Sequence, residues 1–466
     1  MRRKAVRACP FARGKLWSVG EGKGVKTILT YQDFLEERDR AGFLRRLIAE
    51  HEADAMVKTA RTADLYDRQR NRTICESVRR IYTLAGMPVK DPTAGSQRIA
   101  SNFFSRLNTQ RAAYLLGNGA GFTDPETKAR LGADFDTRLM QAGRLALIHG
   151  VSFLFFNVDR VHVFPLTEFA PLWDEETGRL RAGLRYWQLA ADKPLCAVLY
   201  EEEGYTHCRW EKGGAQLASR QPYRTRVLTV PAEEGSEVLG GENYGALPVV
   251  PLWGSRLHQS TLVGMRQAID SYDLIRSGLA NDLNDCAEIY WLLENYGGMT
   301  DAELSRFRDR LKLMHIAALD TGGEGRVTPY TQEIPHAARQ AYLAMLRAGI
   351  YEDFGALDVS ALSAGTRTAT EIQAAYQPLD EQADDFEYQV IECVQQLLSL
   401  LGICDTPLFT RNRIANQMEQ VRTVMLEAPV LDRQTLLCKL PNLTPEEVRA
   451  VLERTGEEKK KEERHG

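Results

Sequence analysis

The sequence predicts an α+β fold in which a β-rich block is set inside an otherwise helical chain of 466 residues. Apolar residues recur every three or four positions before residue 117 and after residue 260, as in amphipathic helices. Between residues 150 and 251, short runs of aromatic and β-branched residues alternate with glycine or acidic turns, as in strands. Thr-x-x-Glu capping patterns at 300–303 and 368–371 mark two helix starts in the second half.

The first part of the chain is predicted to be helical over 31–51, 54–67, 74–84 and 99–116. Gly86 and Pro88 stop the third helix, and Gly117 ends the fourth. Before them, eight Lys and Arg residues stand against Glu21 alone, and no apolar segment follows that would make a signal peptide. Residues 1–30 are therefore expected to form a basic flexible arm.

The β-rich block is predicted to contain six short strands and to close at Pro248–Pro251. These strands are 151–156, 161–164, 184–189, 197–200, 205–210 and 226–229.

The second half is predicted to alternate long helices with short β segments. Its predicted elements are a helix over 260–287, a strand over 289–293, a short helix over 300–314, strands over 316–319 and 326–330, a helix over 335–354, a small-residue loop over 356–368 and a helix over 368–401. Pro378 predicts a kink in the last of these helices. Further helices are expected over 412–454, followed by a charged tail.

Composition excludes several classes of protein. The 59 Lys and Arg against 63 Asp and Glu give a net charge of −4, whereas domains that bind nucleic acid tightly are usually basic. The eight cysteines form no C-x-x-C pair, which indicates free thiols and argues against a zinc site. No apolar run approaches the roughly 20 residues of a membrane span. We expect no cofactor, no metal and no membrane contact.

Enzyme motifs are incomplete in this sequence. The run Gly117–Gly121 lacks the Gly-Lys-Ser/Thr ending of a phosphate loop and follows a helix instead of a strand. His51-Glu52 has Ala55 where a zinc protease needs a second histidine, and no G-x-S-x-G motif is present. The chain is therefore not expected to be an enzyme.

Several short stretches, in this order, are similar to the portal proteins of tailed double-stranded DNA bacteriophages, the siphophage-type head-to-tail connectors. The stretches are 81–88 with Asn102 and 114–118, then 247–251 with 268–273, Ser277 and 281–283, then 368–372, and last Phe409, 411–412, 435–437 and 440–441. The resemblance covers roughly residues 31–453, and the basic arm departs from the pattern.

This resemblance implies a portal fold and a cone-shaped ring, commonly of twelve subunits, at one capsid vertex. The implied parts are a wing with a helical start and a β-rich block (31–257), a first stem helix (258–287), a small α/β clip (288–334), a second stem helix (335–354), a tunnel loop (355–368), a long kinked wing helix (369–404), a helical crown (405–455) and the charged tail (456–466). Double-stranded DNA would pass without sequence specificity during packaging and ejection. The implied partners are terminase, major capsid or scaffold proteins and head-completion proteins, with assembly in the host cytoplasm and a final place in the virion.

DNA must be able to slide through a channel. Each contact between a Lys or Arg side chain and a phosphate adds a salt-dependent free-energy minimum that would slow the DNA. We hypothesise that carboxylates of the first stem helix line the bore, with Asp270, Asp273, Asp282 and Asp285 as candidates. The stretch 368–410 has eight acidic residues and no Lys or Arg, and some of these could do the same. The alternative is a solvated or subunit-facing helix surface.

Two further groups of candidates follow from the resemblance. The tunnel loop would contact DNA through Ser360, Ser363, Gly365, Thr366 and Arg367. Arg367 is its one cation, and the alternative role for Arg367 is to pair with a carboxylate of a neighbouring subunit.

In the clip, Tyr290, Trp291 and Leu293 are candidate subunit-interface residues, with ordinary local core as the alternative. The competing functions are a DNA-packaging or DNA-processing enzyme of the same phage machinery, or a head–tail adaptor.

Overall fold

The structure is a computed structural model with two compact units, residues 1–410 and 411–466. It describes residues 29–77, 80–82, 86–90, 97–211, 214–229, 236–286, 290–294, 300–303, 305–306, 326–330, 336–360 and 369–412, with scattered positions between 424 and 454. In the second unit, residues 424–426 and 435–437 are helical. The predicted basic arm up to residue 28, the strand 316–319 and the charged tail lie outside the described residues.

The predicted helix over 31–51 is two helices, α1 (Tyr31–Glu36) and α2 (Arg40–Ala53). The break comes from capping, since Thr30 and Asp33 form a capping box on α1 and the Asp39 carboxylate accepts from the Gly42 N–H to start α2. Helix α3 (Ala55–Asp67) follows directly, with Asp54 as its N-cap, and confirms the prediction for 54–67.

The predicted helix over 74–84 is wrong beyond its first residues. Helix α4 (Arg72–Cys75) is a single turn started by the Asn71 side chain. Strand β1 (Arg80–Tyr82) then pairs antiparallel with β2 (Pro88–Lys90), and Gly86 has a φ of 74° in the intervening turn. A left-handed glycine favours a hairpin over a helix at this point.

Helix α5 (Phe103–Leu116) begins four residues later than predicted. The backbone N–H groups of Ile99 and Ser101 donate to side chains of a distant helix, so these residues are held outside α5. A short strand β3 (Ala120–Gly121), helix α6 (Pro125–Leu131) and helix α7 (Phe135–His149) follow. Helices α6 and α7 were not predicted from the sequence.

The β-rich block contains more strands than predicted. Its strands are β4 (Val151–Asn157), β5 (Arg160–Pro165), β6 (Phe169–Trp173), β7 (Leu180–Trp187), β8 (Leu195–Glu201), β9 (Gly204–Glu211), β10 (Gly214–Leu217), β11 (Arg224–Thr229), β12 (Ser236–Glu242) and β13 (Val249–Trp253). They form an antiparallel three-stranded sheet β13-β4-β5, a five-stranded sheet β10-β9-β8-β7-β6 and a hairpin β11-β12. The predicted strand over 184–189 is shifted, because β7 starts at Leu180 and ends at Trp187.

Strand β4 is the middle strand of the three-stranded sheet, and both of its faces are buried. Phe153 and Phe155 join one apolar cluster with α3 and the five-stranded sheet, whereas Leu154 and Phe156 join another with α5 and α7. Successive strand residues point to opposite faces, so six consecutive buried residues require a layer on each side.

The second half supplies three long helices and a β ribbon. These are α8 (Leu262–Cys286), β14 (Tyr290–Glu294), β15 (Arg326–Tyr330), α9 (His336–Phe354) and α10 (Ala369–Leu400), followed by β16 (Leu408–Phe409). They confirm the predicted positions of the long helices, and Pro378 lies inside α10. The Thr300 N–H donates to the Glu303 carboxylate, as in the predicted capping box. None of the described helices is long and apolar enough to cross a membrane.

Candidate functional site

Helices α8 and α9 pack side by side and run in opposite directions. At one end, Met265 and Ile269 of α8 share an apolar cluster with Ile350 of α9. At the other end, Arg339 of α9 forms an ion pair with Asp282 of α8. Rising numbers in α8 therefore meet falling numbers in α9. The apolar cluster includes residues of α3 and α5, which joins this end of the pair to the rest of the first unit.

The Asp270 carboxylate on α8 is held by the N-terminal helices. The Tyr66 hydroxyl donates to it at 2.5 Å, and the Asn71 side-chain amide donates at 2.9 Å. The Thr73 hydroxyl donates to its second oxygen at 3.1 Å, and Arg266 lies 3.7 Å away. These partners leave Asp270 half-buried inside a polar network that ties α3 and α4 to α8.

Asp273 belongs to the same network and has no exposed surface. Its carboxylate accepts from the Asn71 side chain at 3.0 Å and from the Ser101 N–H at 2.9 Å. Burial raises the pKa of Asp273, and the two hydrogen bonds oppose this shift. The hypothesis that Asp273 lines a channel is therefore wrong, because a side chain enclosed within its own subunit cannot face a bore.

The two remaining stem candidates lie further along α8. Asp282 is partly exposed, with its carboxylate directed to the Arg339 guanidinium on α9. Asp285 falls within α8, but its side chain lies outside the described residues. The role of these two carboxylates in a channel wall stays a prediction.

The clip candidates fall on β14, which pairs antiparallel with β15. Tyr290 is opposite Tyr330, Trp291 opposite Pro329 and Leu293 opposite Val327. Among the described residues no third strand pairs with this ribbon. The side chains of Tyr290, Trp291 and Leu293 lie outside the described residues.

Of the five candidate residues in the predicted tunnel loop, only Ser360 is described. Its hydroxyl and backbone N–H donate to Asp358 at 2.6 and 3.1 Å, and Arg347 of α9 donates to its hydroxyl oxygen. Ser363, Gly365, Thr366 and Arg367 lie outside the described residues.

Several carboxylates of the acidic stretch 368–410 have partners within the chain. Asp380 accepts from the Tyr114 hydroxyl at 2.6 Å. Asp405 accepts from the N–H groups of Thr123 and Asp124 and from the Thr127 hydroxyl, at the start of α6. The hydrogen bond from the Asp124 N–H is the main reason why the pKa of Asp405 is lowered to about 2. Asp405 therefore has a structural role, because it ties the segment after α10 to the start of α6.

Sequence reasoning missed three residues of α5 that contact the segments on either side of the predicted loop: Gln110, Arg111 and Tyr114. The only signal in the sequence was their spacing, which places all three on one side of α5, because Ser105, Arg106, Asn108 and Thr109 of the same helix are also polar. Arg111 and Tyr114 are buried, and buried polar groups require partners.

The comparisons with known proteins match most of this chain to phage portal proteins. The family model described as phage portal protein, SPP1 Gp6-like, matches residues 36–465. The portal protein of Bacillus phage SPP1 is 24% identical over 445 residues, which cover 88% of this chain and 85% of that protein. The portal protein of Clostridium phage phiCD119 is 25% identical over 202 residues, or 42% of this chain. That match spans 45% of the relative's own length.

Among solved structures, the chain is similar to a component of the neck of an empty GTA particle computed with C6 symmetry. The TM-score is 0.42 at 11% identity, over 76% of this chain and 90% of that one. A component of the neck of a native GTA particle computed with C12 symmetry gives 0.40 at 10% identity, over 80% and 97%. At these TM-scores, neither subunit number nor subunit contacts carry over to this chain.

Proposed function

The chain belongs to the SPP1 Gp6-like family of phage portal proteins, and we propose that it forms a ring at one vertex of a phage capsid. The ring is the channel for DNA packaging and ejection and the docking site for terminase and head–tail joining proteins. The observation that carries this proposal is the family match over residues 36–465.

The helix pair α8–α9 supports the proposal, because it exposes apolar side chains that a neighbouring copy would cover. Leu274, Leu283, Tyr342 and Met345 are each between 42% and 61% exposed. A neighbouring copy in a ring would remove part of this apolar surface from water. The β14–β15 ribbon offers a second route to subunit contact, through the strand edges with which no described strand pairs.

The proposed ring is a homo-oligomer, with twelve subunits as the expected number, and it encloses double-stranded DNA without reading its sequence. The net charge of −4 fits a channel that DNA leaves freely. The proposed partners are terminase, major capsid or scaffold proteins and head-completion proteins. Assembly takes place in the host cytoplasm, the final location is the virion, and the chain itself has no enzymatic activity.

Gel filtration and electron microscopy of the purified protein test the proposed ring. We expect a large particle that appears in projection as a ring with a central hole. ATPase and nuclease assays on the same sample should show no activity above buffer. A monomer with either activity would overturn the proposal and favour a packaging or DNA-processing enzyme.

Replacing Arg367 with alanine tests the proposed contact between DNA and the tunnel loop. Because Arg367 is the only cation between residues 348 and 410, its loss should change DNA retention or packaging rate on the order of a few-fold. The measurement is packaged DNA per particle over time, at two salt concentrations. Arg256→Ala is the control, because that side chain is 82% exposed outside the loop. Equal retention and rate in Arg367→Ala and wild-type particles would instead assign Arg367 to a contact between subunits.

A further inference from the structure

We propose that Gln110, Arg111 and Tyr114 of α5 form a clamp that joins the end of α9 to the part of α10 around Pro378. The clamp is defined as these three side chains. Its targets are residues 354–357 at the end of α9 and residues 376–380 in α10. The clamp rests on contacts within one chain and is therefore independent of the proposed function.

Gln110 holds the backbone just after α9. Its side-chain amide donates to the Leu357 carbonyl at 2.9 Å, and its side-chain oxygen accepts from the Leu357 N–H at 3.2 Å. One side chain thus satisfies both polar groups of one loop residue, as a strand partner would. Glutamine is suited to this role because its amide both donates and accepts.

Arg111 holds the last turn of α9. Its guanidinium donates to the Phe354 carbonyl at 2.5 Å and lies 4.1 Å from the centre of the Phe354 ring. The last carbonyls of a helix have no partner within the helix and carry partial negative charge, so a cation there is favourable. Arg111 is only 6% exposed, and burial lowers its pKa to about 10, which leaves it charged at neutral pH.

The end of α9 also touches α10 directly. Gly355 has a φ of 64°, and the Ala356 N–H donates back to the Tyr351 carbonyl to close the helix. A Cβ atom at Gly355 would lie 2.7 Å from Cγ of Gln382 and 3.1 Å from the Pro378 carbonyl. Glycine therefore allows α9 to end against the turn of α10 that contains Pro378.

Tyr114 connects the same face of α5 to α10. Its hydroxyl donates to Asp380 at 2.6 Å, and its ring stacks on Tyr376 with centroids 5.9 Å apart. Leu357 packs in the same apolar cluster with Tyr114 and Tyr376. The end of α9 and the part of α10 around Pro378 therefore meet on one helix, although they lie about twenty residues apart in sequence.

A salt bridge also holds the backbone that follows α9. The Arg347 guanidinium lies 3.1 Å from both oxygens of Asp358, which in turn accepts from Ser360. The backbone is therefore held up to Ser360 by contacts to α5 and α9. Another face of α5 packs in the core of the first unit through Ala112, Leu115 and Leu116, so the clamp joins these segments to that core.

Hydrogen–deuterium exchange of the purified assembled protein tests the clamp. In Gln110→Ala, peptides covering 355–360 should exchange about 5- to 10-fold faster, because the Leu357 N–H loses its acceptor. In Tyr114→Phe, peptides covering 376–384 should exchange about 3- to 10-fold faster, while the stacked ring is kept. Peptides from α7 serve as the internal reference and should exchange at the wild-type rate.

Matched controls separate a local clamp from a general loss of stability. Gln395→Ala and Tyr388→Phe make the same chemical changes at exposed positions of α10 and should leave both peptides unchanged. Rates within twofold of wild type in both clamp variants would overturn the proposal. Faster exchange in the α7 peptides to the same degree would also overturn it, because the residues would then act only on global stability. A ring with wild-type exchange contradicts the clamp alone, and failure to form a ring contradicts the proposed function alone.

Discussion

Lowering the pH from 7 to 4.5 is expected to reduce the free energy of unfolding of the first unit by about 2–3 kcal/mol through His51 alone. His51 lies on α2 and is buried against the five-stranded sheet, where its Nδ1 atom lies 3.0 Å from the Tyr186 hydroxyl. Burial is the main reason why the pKa of His51 is lowered to about 4, with Asp54 acting in the opposite direction. Its Nε2 atom has no hydrogen-bond partner among the described residues.

The sign follows from which state takes up the proton first. The unfolded chain protonates His51 near its ordinary pKa of 6.5, whereas the folded chain does so only near 4. As the pH falls between these values, the unfolded state gains a proton that the folded state lacks, so stability is lost. Above about pH 6.5 the histidine is neutral in both states, and its contribution is fully present.

Urea unfolding of wild type and His51→Gln at pH 7 and at pH 4.5 measures this effect. The variant should lose about 2–3 kcal/mol less than wild type over that interval, because glutamine does not titrate. His207→Gln replaces an exposed histidine with the same residue and controls for the general effect of the substitution. If wild type and His51→Gln are equally acid-sensitive, the acid sensitivity of the fold has another origin.

The sequence was most informative where one periodicity extends over a long segment. Helices α8, α9 and α10 lie within two or three residues of their predicted bounds, because their apolar residues recur over many turns. The predicted helix boundaries were wrong where a single side chain determines where a helix begins or ends. The Asp39 cap splits the first predicted helix, and hydrogen bonds from Ile99 and Ser101 to α8 delay the start of α5.

The candidate site was less predictable, since its chemistry depends on partners far away in sequence. Asp270 and Asp273 have the same residue type and lie one helical turn apart, which favoured a common role in the sequence analysis. The structure places Asn71 between them, about 200 residues earlier in the chain. Charge pattern alone does not distinguish a carboxylate that faces a channel from one that anchors another helix. The contact of one buried amide with two carboxylates depends on the folded structure and cannot be read from the sequence.

Replacing Phe386 with alanine should have the largest effect of any single change in the long helix α10. Phe386 is 1% exposed and lies in the cluster formed by α5, α7 and the β13-β4-β5 sheet. Truncation of a buried phenylalanine removes apolar burial and leaves a cavity, at a cost of about 3–5 kcal/mol. Chemical denaturation measures the loss. Gln395→Ala on the same helix is exposed and should stay within about 0.5 kcal/mol of wild type.

Gly143 of α7 provides a test of whether this cost arises from close packing. A Cβ atom at Gly143 would lie 3.0 Å from Cζ of Phe386 and 2.6 Å from Cδ1 of Leu116, so Gly143→Ala alone overpacks the contact. Overpacking costs about 1–3 kcal/mol, against which alanine gains about 1 kcal/mol of helix propensity. In the Phe386→Ala background the phenylalanine ring is gone and leaves space into which the Leu116 side chain can shift, so the added methyl group should become stabilising by about 1 kcal/mol. The double mutant should then be more stable than the sum of the single changes predicts by about 1–3 kcal/mol, which is the overpacking cost that is relieved. Additivity within about 0.5 kcal/mol would show that α7 and α10 do not interlock through this pair, and that the long helix is held to the first unit by its other contacts.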